Sequence, residues 1–275
     1  HGWIRETFGA DVPIVDDYRK VLAIEEIDAV DIVLPHDLHM QAAVDAANAG
    51  KHVLTEKVMA RNIWECDRMI EACEKAGITL TVTHDRRYHS EWEALKDIID
   101  SGDLGEIFFW KLDHNQNVEM PIGHWIRSRN AIGGGAIMSC LTHQIDGLRW
   151  YGGEVKNVTC RTKVDPRRME GEFLGVLIAE MESGAMAELS INWMTRSNSG
   201  DNRLWYEMVQ VCGTEGEAYR MDGKGTFVRL HPNAGQTAIQ RYGEEALNGF
   251  VSVDYSASVG GHVGCIVEWA KMICG

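Results

Sequence analysis

The stretch DAVDIVLPHDLHMQAAVDAANAGKHVLTEKVMA, residues 28–60, decides how the chain is read. Ala29 to Leu34 has the length and the Val/Ile content of a strand buried on both faces, and Pro35 ends it because proline has no N–H for the ladder. A helix follows. Met40, Ala43, Val44, Ala47 and Ala49 form its apolar stripe, Gly50 sits where a C-terminal cap belongs, and His52 to Leu54 begins a second strand. Strand, helix and strand in this order make a βαβ unit, so the sheet is parallel with a right-handed crossover. Ligands of such sheets bind beyond the carboxyl ends of the strands. The polar turns Pro35-His36-Asp37-Leu38-His39 and Glu56-Lys57 fall at those ends.

Upstream, His1 to Phe8 reads as the end of a helix stopped by Gly9. Asp16-Asp17 opens another with Tyr18, Val21, Leu22 and Ile24 on its buried side. Downstream, Asn62 caps a helix carrying Ile63, Met69, Ile70 and Cys73 inward, Gly77 ends it, and Ile78 to Thr83 is the next buried strand. This alternation is half of a Rossmann-type α/β domain. The G-x-G-x-x-G turn that would admit a pyrophosphate is absent, and Gly133-Gly134-Gly135 follows no buried strand. The chain is therefore read as lacking an upstream strand-helix-strand block.

Past His84-Asp85-Arg86-Arg87 the pattern changes. Glu91 to Ile99 is a helix closed by Ser101-Gly102. The segments 107–112, 154–164, 173–181, 185–193, 204–211 and 216–221 alternate as strands of a large, mostly antiparallel sheet. Helices are expected over 137–150 and 264–273. Residues 1–85 are thus expected to be a partial dinucleotide-binding domain, and 86–275 an α+β substrate-binding and oligomerisation domain.

Composition narrows the function. With 27 Lys+Arg against 41 Asp+Glu the net charge is −14, which argues against a nucleic-acid partner, since binding phosphates needs a basic face. No apolar run reaches membrane length and no signal-peptide pattern opens the chain. Seven scattered cysteines without a C-x-x-C pair point to reduced thiols in a cytoplasm. His36-x-x-His39 has no neighbours that complete a ligand set, so no metal is expected. Trp193 and Trp205 are assigned to sheet packing.

Several motifs, in order, carry a resemblance. They are Phe8-Gly9-Ala10; Val33-Leu34-Pro35 with His39; Gly50-Lys51-His52-Val53-Leu54 with Glu56-Lys57; Ser101-Gly102-Asp103-Leu104-Gly105-Glu106-Ile107; and Gly133-Gly134-Gly135 with His143 and Asp146. Together they resemble the Gfo/Idh/MocA oxidoreductases over nearly the whole chain. The resemblance implies NAD or NADP as cofactor, a carbohydrate or cyclitol substrate, and a dimer or tetramer built through the large sheet. It implies His143 as general base and Lys57 as the group that polarises the reacting oxygen, with Ser139 and Asp146 orienting them. Pro35, His36, His39, Glu56, Lys57, Trp125 and Arg127 would line the cofactor. Arg86, His89, Asp113, Asn115, Ser139 and His143 would meet the substrate. Val58 stands where the family usually has proline, and Ser139 where many members have aspartate. On a helix 139, 143 and 146 share one face, so Ser139 is placed to hydrogen-bond a ligand or His143. Two alternatives stay open: a redox-cycling glycoside-cleaving enzyme of the same family, and a non-catalytic dinucleotide- or sugar-binding sensor.

Overall fold

The computed structural model describes residues 13–195, 205–256 and 260–275, Trp205 by its backbone alone. The expected helix end at residues 1–9 lies outside the described residues, as does Leu204. The first layer runs α1 (Tyr18–Leu22), β1 (Ala29–Ile32), α2 (His36–Asn48), β2 (His52–Glu56), α3 (Ile63–Ala76) and β3 (Leu80–Thr83). The strands pair in parallel in the order β1-β2-β3. Local chemistry sets the helix ends. The Asn62 side chain accepts the Glu65 N–H at 3.0 Å, and Gly77 closes α3 with φ 67°.

Burial corrects three expectations. Among the described residues β1 stops at Ile32 and lies at the end of the order β1-β2-β3, with Asp31 exposed and Val33 68% exposed. In α1 no residue is buried, Ile24 falls beyond the helix end, and Tyr18 donates its hydroxyl to Asp45 on α2 at 2.6 Å. In α3 the inward face is Glu65, Met69 and Cys73, four residues apart each time. Ile63 and Ile70 lie on another face, 79% and 41% exposed.

The second layer begins with a 3₁₀ turn at Asp85–Tyr88 and continues through α4 (Ser90–Asp100), β4 (Ile107–Gln116), a 3₁₀ turn at Trp125–Arg127 and α5 (Arg129–Ile132). A π-helical turn, Ile137–Leu141, leads into α6 (Thr142–Gly152). There follow β5 (Val155–Val164), β6 (Glu172–Met181), β7 (Met186–Asn192), β8 (Trp205–Gly213), β9 (Gly216–Met221), β10 (Gly225–Leu230), α7 (Gln236–Tyr242), β11 (Val251–Val253) and α8 (Gly261–Cys274). The eight strands are ordered β11-β10-β9-β8-β4-β7-β6-β5, and among the described pairs β4–β7 alone is parallel. β10, β11 and α7 were not anticipated from periodicity.

One face of this sheet buries Trp110, Leu112, Val209 and Val211 against Trp92 and Leu95 of α4 and Leu148 and Tyr151 of α6. Trp193 is also buried there, at 2% exposure, as expected. The other face leaves Val158, Val176, Ile178 and Met186 exposed. α8 returns to close the 3₁₀ turn after β3, where a Cβ on Gly264 would come within 2.6 Å of Tyr88.

Candidate active site

Because β1, β2 and β3 are parallel, their carboxyl ends share one edge, and the turns after β2 and β3 carry Lys57 and His84–Arg87 to it. The Lys57–Val58 peptide is cis although residue 58 is not proline. His39, fully buried, has Nδ1 2.8 Å from the Val58 carbonyl and Nε2 2.8 Å from the Leu34 carbonyl, so it ties this turn to the end of β1. That use of both ring nitrogens removes His39 from contact with a cofactor. His36 is likewise buried. Its Nδ1–H donates to the Ile132 carbonyl at 2.9 Å, its ring meets Trp125 edge-on at 4.9 Å, and burial pushes the imidazole down to about 4. Pro35 occupies the cap position before α2.

The Lys57 ammonium donates to the Ser139 carbonyl at 2.8 Å, joining the two layers. The glycine triplet allows this approach: a Cβ on Gly135 would lie 2.3 Å from the Glu172 carbonyl of β6, and one on Gly133 would lie 2.9 Å from Arg61. Glycines here serve backbone packing and not phosphate binding. The helix expected over 137–150 is π-helical up to Leu141, so Ser139 leaves the α-helical register in which it would share a face with His143. Ser139 contributes its carbonyl to Lys57.

His143 is 6% exposed, and its Nδ1 lies 3.5 Å from Asp85 Oδ1, an ion-pair distance longer than a full hydrogen bond. Burial, reinforced by the Lys57 and Arg86 cations, holds its imidazole well below the usual histidine value. Burial alone would raise Asp85, but His89, Arg86 and His143 together hold its carboxyl low. An anionic Asp85 therefore faces a neutral His143 beside a lysine.

The other expected residues are engaged by protein neighbours. Asp146 is clamped by Arg87 at 2.6 and 2.9 Å, with His84 at 3.6 Å, so it orients the 3₁₀ turn and not His143. Arg86 is buried and grips Glu207 of β8 through Nε and Nη2, the latter at 2.9 Å. Arg127 donates to the Met120 and Arg167 carbonyls, which commits it to a loop. Glu56 pairs with His262 of α8 at 2.8 Å, and His89 stands 3.5 Å from Asp85. Asp113 and Asn115 are corrected outright. Successive strand residues point to opposite faces, and Asp113 pairs with Ser190 on the outer face at 2.7 Å. The inner residues of the same strand end, His114 and Gln116, join Cys140 and Glu207 behind Lys57. Parity was the signal for them, since His114 and Gln116 alternate in step with buried Trp110 and Leu112.

Among the described residues no group of three or more side chains could hold a metal, and no helix is long and apolar enough to cross a membrane. Beside the strand ends the side chains suit the redox end of a nicotinamide: an ammonium at Lys57 and the buried imidazole of His143. A groove of about 790 Å³ between α4 and the β11 segment carries none of these residues.

Comparison with known proteins bears on family and fold. Residues 4–84 match the model of an oxidoreductase family with an NAD-binding Rossmann fold, and residues 92–219 match the GFO/IDH/MocA C-terminal domain. The uncharacterized oxidoreductase YrbE of Bacillus subtilis is 30% identical over 79% of this chain and 62% of its own length. The levoglucosan dehydrogenase of Pseudarthrobacter phenanthrenivorans is 31% identical over 52% of this chain and 37% of its own. The chain thus spans less than two thirds of either relative. The WlbA dehydrogenase from Bordetella pertussis, solved with NADH and UDP-GlcNAcA, superposes with a TM-score of 0.71 at 25% identity, covering 90% of this chain and 70% of that one.

Proposed function

The chain belongs to the Gfo/Idh/MocA oxidoreductase family, and on that premise we propose that it is an NAD(P)-dependent oxidoreductase acting on a ring hydroxyl or ketone of a sugar, glycoside or cyclitol. The observation that carries this reading is the Lys57 ammonium, delivered from the end of a parallel strand onto the Ser139 carbonyl at the entry to the His143 helix. Relatives named for sugar oxidation and a neighbour solved with NADH support the substrate class and favour NAD. Residues 1–85 would supply part of the cofactor-binding domain and 86–275 the substrate domain.

When bound, the nicotinamide supplies the hydride acceptor. His143 is kept neutral near pH 7 by burial and by adjacent cations, so it can accept the proton of a secondary alcohol. With Nδ1 toward Asp85, Nε2 is the nitrogen available for that proton, and the Asp85 carboxylate stabilises the imidazolium that forms. Lys57 stabilises negative charge developing on the alcohol oxygen. Held by Val58 on one side and Ser139 on the other, it requires little reorganisation to do so.

The exposed apolar rows of the large sheet, Val158, Val176, Ile178 and Met186, support a homo-oligomer formed through that face. Seven cysteines without a disulfide support a reducing, cytoplasmic setting. A panel of sugars and cyclitols assayed with NAD and NADP tests the function. Nicotinamide reduction with at least one of them is expected, and tight dinucleotide binding without turnover on any would overturn the reading in favour of a sensor.

A further inference from the structure

Cys140 follows Ser139, whose carbonyl receives Lys57. Its Sγ lies 3.8 Å from Gln116 Oε1 and 3.9 Å from Ser139 Oγ. His114 Nε2 approaches the same Gln116 Oε1 at 3.4 Å, and His114 Nδ1 stands 3.2 Å from Glu207 Oε1. Thiol, imidazole and carboxylate therefore lie side by side, an arrangement that favours the thiolate. Arg86 shares Glu207 Oε1 with His114, Arg220 stands 3.5 Å from Glu207 Oε2, and Lys57 adds positive charge from the end of β2. His114 and Glu207 are each 1% exposed, whereas Cys140 is partly buried.

We propose that Cys140 is an activated thiol beside Lys57, a modification site for small uncharged soft electrophiles such as haloacetamides. Hydride transfer uses none of the Cys140, His114 and Glu207 side chains, so the proposal stands or falls apart from the dehydrogenase reading. The sulfur's proton leaves to solvent, and His114, already an imidazolium, pairs with the thiolate. The thiolate then displaces halide from the CH₂ carbon, so that an S–C bond forms and the carbon–halogen bond breaks with its electron pair leaving as halide. No oxidant is needed.

Electrostatics singles out this cysteine. Burial would raise its thiol, but His114 and Lys57 outweigh that and hold it at about 7. Burial would lower His114, but Cys140 and Glu207 lift it to about 9. Burial raises Cys66, Cys73, Cys160 and Cys212, and pushes Cys265 up to about 12. Cys274 is exposed at the end of α8 and serves as an internal reference.

The test follows iodoacetamide labelling of Cys140 and Cys274 by mass spectrometry in one sample of the unmodified protein, from about pH 6 to about pH 9.5. Half-maximal labelling of Cys140 near pH 7, against about 8.5 for an ordinary exposed thiol, is the expected result. His114→Gln should move the Cys140 midpoint up by at least about one unit and leave that of Cys274 where it was. A Cys140 midpoint matching that of Cys274, or no labelling of Cys140 in the folded protein, overturns the proposal. The comparison within the unmodified protein decides the matter even where the variant fails to fold.

Discussion

Replacing Glu207 by Gln should cost more stability than any substitution of an exposed charge. The Glu207 carboxylate is 1% exposed and takes Arg86 at 2.9 Å, His114 at 3.2 Å and Arg220 at 3.5 Å. Glutamine keeps the shape and removes the charge, leaving three buried basic groups facing a neutral amide. Removing one member of a buried pair costs about 3–5 kcal/mol. Arg86 retains Asp85 at 2.7 Å and Arg220 retains Asp222 at 3.1 Å, which places the expected loss toward 3 kcal/mol. At about 2–4 °C per kcal/mol for a chain of this size, the thermal midpoint should fall by roughly 10 °C. Urea unfolding followed by fluorescence and by circular dichroism should give the same loss. A loss below about 1 kcal/mol, the range of exposed pairs, would refute a desolvated network. Replacing both partners, Arg86→Met with Glu207→Leu, should recover part of the loss.

Acid should destabilise the protein before its carboxylates titrate. His36 at about 4, with His84 and His143 also lowered by burial, bind fewer protons folded than unfolded, so their share of the stability is complete above about pH 6.5 and declines as pH falls toward 4. His36 alone accounts for about 3 kcal/mol of that decline, and His36→Phe should flatten a plot of urea midpoint against pH in this window. Gly135→Ala should cost on the order of 2 kcal/mol or more in urea unfolding, because its Cβ would meet the Glu172 backbone at 2.3 Å; a neutral result would mean that the glycine segment packs more loosely on β6. Ile178→Glu on the outer face should shift sedimentation toward the monomer without changing the circular dichroism, and an unchanged sedimentation coefficient would remove that face from assembly.

The parallel unit and the main strands of the large sheet were legible because periodicity and capping residues are local. Asn62 and Gly77 bound α3 where their chemistry said they should. Burial was less legible, since the exposure of Val33 and Ile63 depends on what packs beside them. The pairing of Lys57 with the helix of His143 joins positions far apart in sequence and was visible only through resemblance to a family. Glu207 and Cys140 escape a reading of the sequence because the antiparallel register that sets His114 opposite Glu207 is a long-range fact. Asp113 and Asn115 were misplaced by one step of the pleat, which is enough to send a side chain through the sheet.

The central claim is that Lys57 and His143 form one site, and kinetics of the two variants test it most directly. With a substrate found by nicotinamide absorbance, Lys57→Met and His143→Asn should each lower kcat by about 10²-fold or more while dinucleotide affinity changes only a few-fold. Turnover by His143→Asn at the parent rate would contradict the account.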